Sequence, residues 1–157
     1  MITTVTFNPA VDKTAQVQRL EPGRLNRLQN VRQDAGGKGI NVSKTLNAIG
    51  IGSRATGFLA GSAGTFIRKR LEELGITHDF VEIEGNTRTN LKVLDADMTL
   101  TELNEAGPAC SQEDILRLQN RLEGASGVLV LSGNVGPGVP ADIYRQLTVQ
   151  AHSQGLQ

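Results

Sequence analysis

Apolar residues in this chain switch repeatedly between strand spacing and helix spacing, and that alternation restricts the fold more than any other feature. Ile2 to Phe7 reads as a β-rich strand closed by a turn at Asn8-Pro9. Ile40, Val42, Leu46 and Ile49 then recur at helical spacing, with Gly50 as the stop. Arg54 to Phe58 reads as a strand, and Phe66, Ile67, Leu71 and Leu74 as the face of a second helix ended by Gly75. Phe80 to Ile83 predicts another strand. Ser111, with Asp114 three places on, predicts the cap of a third helix whose face is Ile115, Leu118 and Leu122. Val128 to Leu131 is a short apolar run bounded by glycines, the pattern of a strand buried on both faces, and Ala141 to Ser153 predicts a fourth helix stopped by Gly155. Such an order predicts a doubly wound, mostly parallel α/β core.

Two stretches depart from it. Thr14 to Arg19 and Leu25 to Gln33 flank the turn Glu21-Pro22-Gly23, and Thr89 to Leu94 and Thr99 to Leu103 flank Asp95-Ala96-Asp97. Their polar alternation predicts two small antiparallel excursions, near residues 13–33 and 88–104, each with one exposed face. Ligands of doubly wound sheets bind beyond the carboxyl ends of the strands, and Phe7-Asn8 and Leu131-Ser132 are ends of that kind.

Charge narrows the class of ligand. Sixteen basic and sixteen acidic residues cancel, with no basic face for nucleic acid or anionic lipid, so the expected partner is a small molecule. The 157 residues, 38% of them hydrophobic, suffice for one domain with a core. Cys110 is the only cysteine and there are two histidines, so neither an internal disulfide nor a metal-ligand cluster is expected. With no basic leader after Met1 and no apolar run long enough to span a bilayer, the expected location is the cytoplasm.

The stretch "QDAGGKGINVSKTLNAIG", residues 33–50, carries the strongest local signal. It is not a P-loop, because Gly39 follows Lys38 where Ser or Thr is required, and it lacks the glycine spacing of a dinucleotide fingerprint. More general physics remains: glycines before a helix let backbone N–H groups approach an anion, and the positive helix end and Lys38 add charge. A phosphorylated, hydroxyl-rich molecule fits; a glycine-rich turn that merely starts a helix fits the spacing as well. Asp12 sits where a carboxylate can accept two sugar hydroxyls or stabilise a turn. Arg88 and Asn90 open the second excursion, where Arg88 either reaches a phosphate or is a solvated edge charge. Ser132 follows the buried strand and precedes a rigid Pro/Gly loop, Asn134 to Pro140. His78 and His152 lie outside these clusters, and no Ser-His-Asp or Cys-His arrangement can be assembled.

Together the segments "TFNPAVD" (6–12), "GGKGINVSKTL" (36–46), "NTRTNLKV" (86–93), "TELNEAGP" (101–108) and "LSGNVGPGVP" (131–140) resemble the ribokinase-like sugar kinases of the phosphofructokinase B type, from Ile2 to the last residue. The resemblance implies a ribokinase-like α/β domain whose two excursions form a β lid used for homodimerisation. It implies that Asp12 binds sugar hydroxyls, that Gly36, Gly37 and Asn41 line the sugar site, and that Lys38 and Arg88 face the substrate phosphate. Arg24 on the lid is implied as a further phosphate ligand, and Asn90 and Ser132 as completing the pocket. The implied activity is ATP- and Mg2+-dependent phosphorylation of fructose 1-phosphate at its 6-hydroxyl, with tagatose 6-phosphate and fructose 6-phosphate as alternative acceptors. Two positions depart from the family pattern: Ser43 stands where alanine is usual, and "SGNVGPGVP" replaces the commoner "SGSLPPGVP".

The family's Gly-Ala-Gly-Asp segment, which supplies the general base and an anion hole, is not found in these 157 residues. The expectation is therefore that the chain is the N-terminal, substrate-binding part of a kinase domain, with the base beyond Gln157 and no catalytic residue within. The alternative is a non-catalytic sugar-phosphate-binding or dimerising module.

Overall fold

The computed structural model describes residues 1–157. A parallel sheet forms its centre, built from β1 (Ile2–Thr6), β4 (Ser53–Leu59), β5 (Thr77–His78), β6 (Val81–Glu82) and β9 (Val128–Leu131). Its order is β5-β4-β1-β9, with β6 continuing alongside β4. Helices α1 (Lys38–Ala48) and α2 (Gly61–Glu73) cover one face, and α3 (Gln112–Leu122) and α4 (Ile143–Ser153) the other. Alternate residues of one strand feed the two cores: Phe58 packs with Ile115, Leu118 and Leu147, while Leu59 packs with Ile40, Ile67 and Leu71. This is the doubly wound α/β fold read from the sequence. No helix is long and apolar enough to cross a membrane.

The excursions form one sheet rather than two. β2 (Ala10–Gln16) and β3 (Gln29–Gly36) are antiparallel, as are β7 (Arg88–Leu94) and β8 (Leu100–Asn104), but β2 and β7 pair in parallel, giving the order β3-β2-β7-β8. The first pair starts at Ala10 and ends at Gly36, outside the sequence-based strand limits, because Val11 and Ala35 are drawn into the core against α1 and α2. The turn Glu21-Pro22-Gly23 lies inside the longer β2–β3 connection.

Three other expectations change. The strand predicted over Phe80–Ile83 is reduced to Val81–Glu82, because Phe80 turns into the core while the Asp79 N–H donates to Ala55 O. β9 is partly exposed rather than buried on both faces: it is the last strand of the path, and Val128 is 39% exposed. Beyond it, the Gln157 N–H donates to Gly127 O and the Leu129 N–H to Gln157 O, a single parallel bridge at an otherwise open edge. Finally, α1 does not bury the face Ile40-Val42-Leu46-Ile49. Its buried residues are Gly39, Ile40 and Ser43, and Ile49 is 65% exposed. The strand beneath explains the rotation, since Thr4 and Ser43 share a buried 2.8 Å hydrogen bond. Serine at position 43 is thus satisfied where an alanine would leave the Thr4 hydroxyl without this partner.

Candidate functional site

β1 sits at the topological switch point, with β4 on one side and β9 on the other. Beyond its carboxyl end, under the second sheet, opens a cavity of about 380 Å³ with no hydrophobic residue in its lining. The ends of β1 and β9, the start of α1 and the strands of the lid all contribute walls, and Asn8 and Ser132 lie there as the two strand ends predict.

The glycines at the entrance to α1 have physical reasons. Gly37 adopts φ 119°, and a Cβ on it would lie 2.7 Å from Thr6 Cγ2. A Cβ on Gly36 would collide with the Asp12 carboxylate. The chain therefore has to pass bare of side chains between β1 and Asp12. Gly37 offers no side-chain cap to α1; the Ile40 N–H instead donates to Thr6 Oγ1 at 3.0 Å. The first amides of the helix, at Lys38 and Gly39, lack intrahelical acceptors, and Gly37 and Lys38 line the cavity at this helix start. Asp34, at the end of β3, anchors this entrance. Its carboxylate accepts from Lys44 Nζ at 2.5 Å and from the Ala35 N–H, with Arg70 3.5 Å away. Burial pushes the Asp34 carboxyl up, but the bonds and charges of Lys44, Ala35 and Arg70 outweigh it and hold the group below its ordinary value.

Across the cavity, Asp12 Oδ1 accepts from Asn90 Nδ2 at 3.0 Å, and Asn90 Oδ1 is buried with no partner. With Oδ1 held by Asn90, the Asp12 carboxylate keeps lone pairs that can accept sugar hydroxyls. Arg88 is held from three sides: its guanidinium donates to Asn8 O, to Asn134 Oδ1 and to Glu105 O, at 3.2, 3.3 and 3.4 Å. Its Nε is buried and unpartnered. Asn134, the residue that departs from the family pattern, thus touches a cation in the cavity wall.

Asp12, Gly37, Lys38, Asn41, Arg88, Asn90 and Ser132 converge on this one cavity, with Gly36 directly behind Asp12. Arg24 does not; it is exposed on the β2–β3 connection. Three lining residues, Lys92, Glu102 and Asn104, leave no signal of their own in the sequence, and a fourth, Asn8, leaves only its position. For Asn8 the sequence indicates only its place at a strand end; the structure adds that it is buried and ties β1 to Ala106 through Nδ2. Asn104 stands opposite Asn90, and Lys92 opposite Glu102. The alternation of β7 could have disclosed Lys92, since Arg88, Asn90 and Lys92 share a face.

The sequence profile of the pfkB family carbohydrate kinases matches residues 5–156. The chain belongs to that family. It is 41% identical over 98% of its length to the 1-phosphofructokinase of Xanthomonas campestris pv. campestris, and 37% identical over 100% to that of Bacillus subtilis. These alignments cover 50% and 52% of the relatives, so the chain spans about half the length of the curated relatives it matches. Among solved structures, phosphofructokinase-2 of Escherichia coli, determined with fructose-6-phosphate, superposes with a TM-score of 0.93 at 26% identity, over 99% of this chain and 52% of that one. A ribokinase from Thermotoga maritima, at 21% identity and TM-score 0.67, shares the fold over 82% of this chain and 43% of its own.

Proposed function

We propose that this pfkB-family chain binds a phosphorylated ketohexose as the acceptor part of an ATP-dependent kinase that converts fructose 1-phosphate to fructose 1,6-bisphosphate. The observation that carries the reading is the wholly polar cavity at the switch point, lined by the Asp12 carboxylate, with Asn90 bonded to it, and by the cations Lys38 and Arg88. Asp12, oriented by Asn90, holds sugar hydroxyls; Gly36, Gly37 and Asn41 shape the sugar site; Lys38 and Arg88 counter the phosphate; Ser132 closes the pocket at the end of β9. Arg24 stands outside the cavity of a single copy, so its part in holding phosphate requires the β2–β3 connection to fold inward or a second copy to supply it.

ATP with Mg2+ supplies the phosphoryl group in this reading. No group of three or more His, Cys, Asp or Glu side chains here converges to hold an ion, and no residue of this chain is assigned to one. A second reading, acceptor binding without turnover, is favoured by the state of the cavity carboxylates. Asp12, engaged at Oδ1 by Asn90, is assigned to the sugar hydroxyls, and Glu102, the other carboxylate of the lining, has the Lys92 ammonium 3.9 Å away, so no carboxylate of the cavity is left over for the role of base. The buried Cys110 thiol suits a reducing, cytoplasmic setting. Exposed leucines on the lid, at 25, 28, 100 and 103, suit a homodimer formed through it.

Calorimetry with the full chain tests the acceptor assignment, titrating fructose 1-phosphate, fructose 6-phosphate, tagatose 6-phosphate and ATP in turn. Fructose 1-phosphate is expected to bind tightest. Preference for either other ester overturns the substrate assignment, and binding of none overturns the site. Adding ATP and following fructose 1,6-bisphosphate separates the two readings, because measurable turnover by this chain excludes acceptor binding without turnover.

A further inference from the structure

The register of the lid sets side chains in rungs across one face. Asp12, Asn90 and Asn104 form one rung; Thr14, Lys92 and Glu102 form the next, about 7 Å further from the sheet ends. Beyond them the β7–β8 part of the face turns apolar, with Leu94 opposite Leu100 and Gln16 completing the rung on β2. Lys92 and Glu102 are therefore the last polar pair before the cavity ends, and both line it.

Their pairing is loose. Lys92 Nζ lies 3.9 Å from Glu102 Oε1, beyond hydrogen-bond reach, with the side chains 37% and 46% exposed. Elsewhere the carboxylates Asp34, Asp114 and Asp142 are locked by direct hydrogen bonds. Arg88, by contrast with Lys92, has both terminal nitrogens committed to oxygens of the protein. A cation left uncommitted beside an anionic partner it barely touches can change partners at little cost. An anion entering the cavity would otherwise meet Glu102 as a like charge.

Resting on the reading of the cavity as a sugar-phosphate site, we propose that Lys92 is an anion-binding residue of that site, held at rest by Glu102 and released to the phosphate of the bound sugar ester. Lys92 then determines preference for phosphorylated over neutral sugar, and Glu102 tempers affinity rather than supplying it. The two residues thus have effects of opposite sign.

Calorimetry with the full chain, using fructose 1-phosphate against unphosphorylated fructose, tests this. Lys92→Met should weaken fructose 1-phosphate binding about ten- to hundred-fold and leave fructose unchanged. Glu102→Gln should tighten fructose 1-phosphate binding about three-fold. Weaker binding in Glu102→Gln overturns the assignment, since the carboxylate would then be holding the sugar itself; this variant decides the matter even where Lys92→Met fails to fold. Fructose 1-phosphate binding that Lys92→Met leaves within about two-fold also overturns the role of Lys92 alone. Failure of the unaltered chain to bind fructose 1-phosphate overturns the reading of the cavity, and this assignment with it.

Discussion

Gly36 shows how a single missing side chain can place a functional one. Asp12 occupies the space a methyl group would take there, and Asp12 also meets Asn90 on the next strand. Gly36→Ala should drive the carboxylate out of its position, lowering fructose 1-phosphate affinity about ten-fold or more, while backbone strain stays small because this glycine does not need positive φ. Calorimetry beside a thermal melt checks it; intact affinity would show that Asp12 does not hold the sugar. At this scale the sequence disclosed residues that announce themselves by type at a special place: glycines before a helix, an aspartate after a strand, an arginine opening an excursion. It did not disclose Lys92, Asn104 or Glu102. Their importance comes from strand register, which pairs residues of different strands and leaves no local mark.

Among elements, α3 carries the most complete local instruction. Ser111 Oγ accepts from the Asp114 N–H at 3.1 Å, and the Asp114 carboxylate accepts from the Ser111 N–H at 2.9 Å, closing a capping box. Burial pushes the Asp114 carboxyl up, but the Ser111 and Arg117 bonds prevail and lower it below the ordinary value of 3.8. A carboxyl depressed in the folded state binds protons more weakly than in the unfolded chain. Its stabilisation is thus complete above the ordinary carboxylate value and is lost as pH falls through the depressed one. Ser111→Ala should cost about 1 kcal/mol, or about 2–4 °C in Tm. Asp114→Asn should flatten the fall in stability below about pH 4. Melts from pH 7 to pH 3 check both, and an unchanged acid limb in Asp114→Asn would remove the box from the account. The sequence read α3 correctly because its cap and face are local. It misplaced the buried face of α1 because that face answers to Thr4, a polar core residue on another element. The lid strands were likewise displaced by burial of Val11 and Ala35.

At the scale of the whole molecule, two sheets meet at one crevice, and the strand–helix alternation foretold the first sheet but not the pairing of β2 with β7 that makes the second continuous. That parallel pairing joins segments more than seventy residues apart, a distance over which local periodicity carries no information. If the lid joins two copies, Leu28→Lys with Leu100→Lys should give a monomer in size-exclusion chromatography with light scattering, still folded because both residues are exposed in the single chain, with a Tm that no longer rises with protein concentration. A species of the same mass as the unaltered chain would move the interface elsewhere. The cavity has a thermodynamic consequence of its own. Its walls hold no apolar side chain, so a guest exchanges hydration for polar contacts instead of burying oily surface. The heat of association should accordingly stay nearly constant between 10 and 35 °C, a temperature series of about that span being enough to see the slope that hydrophobic association produces.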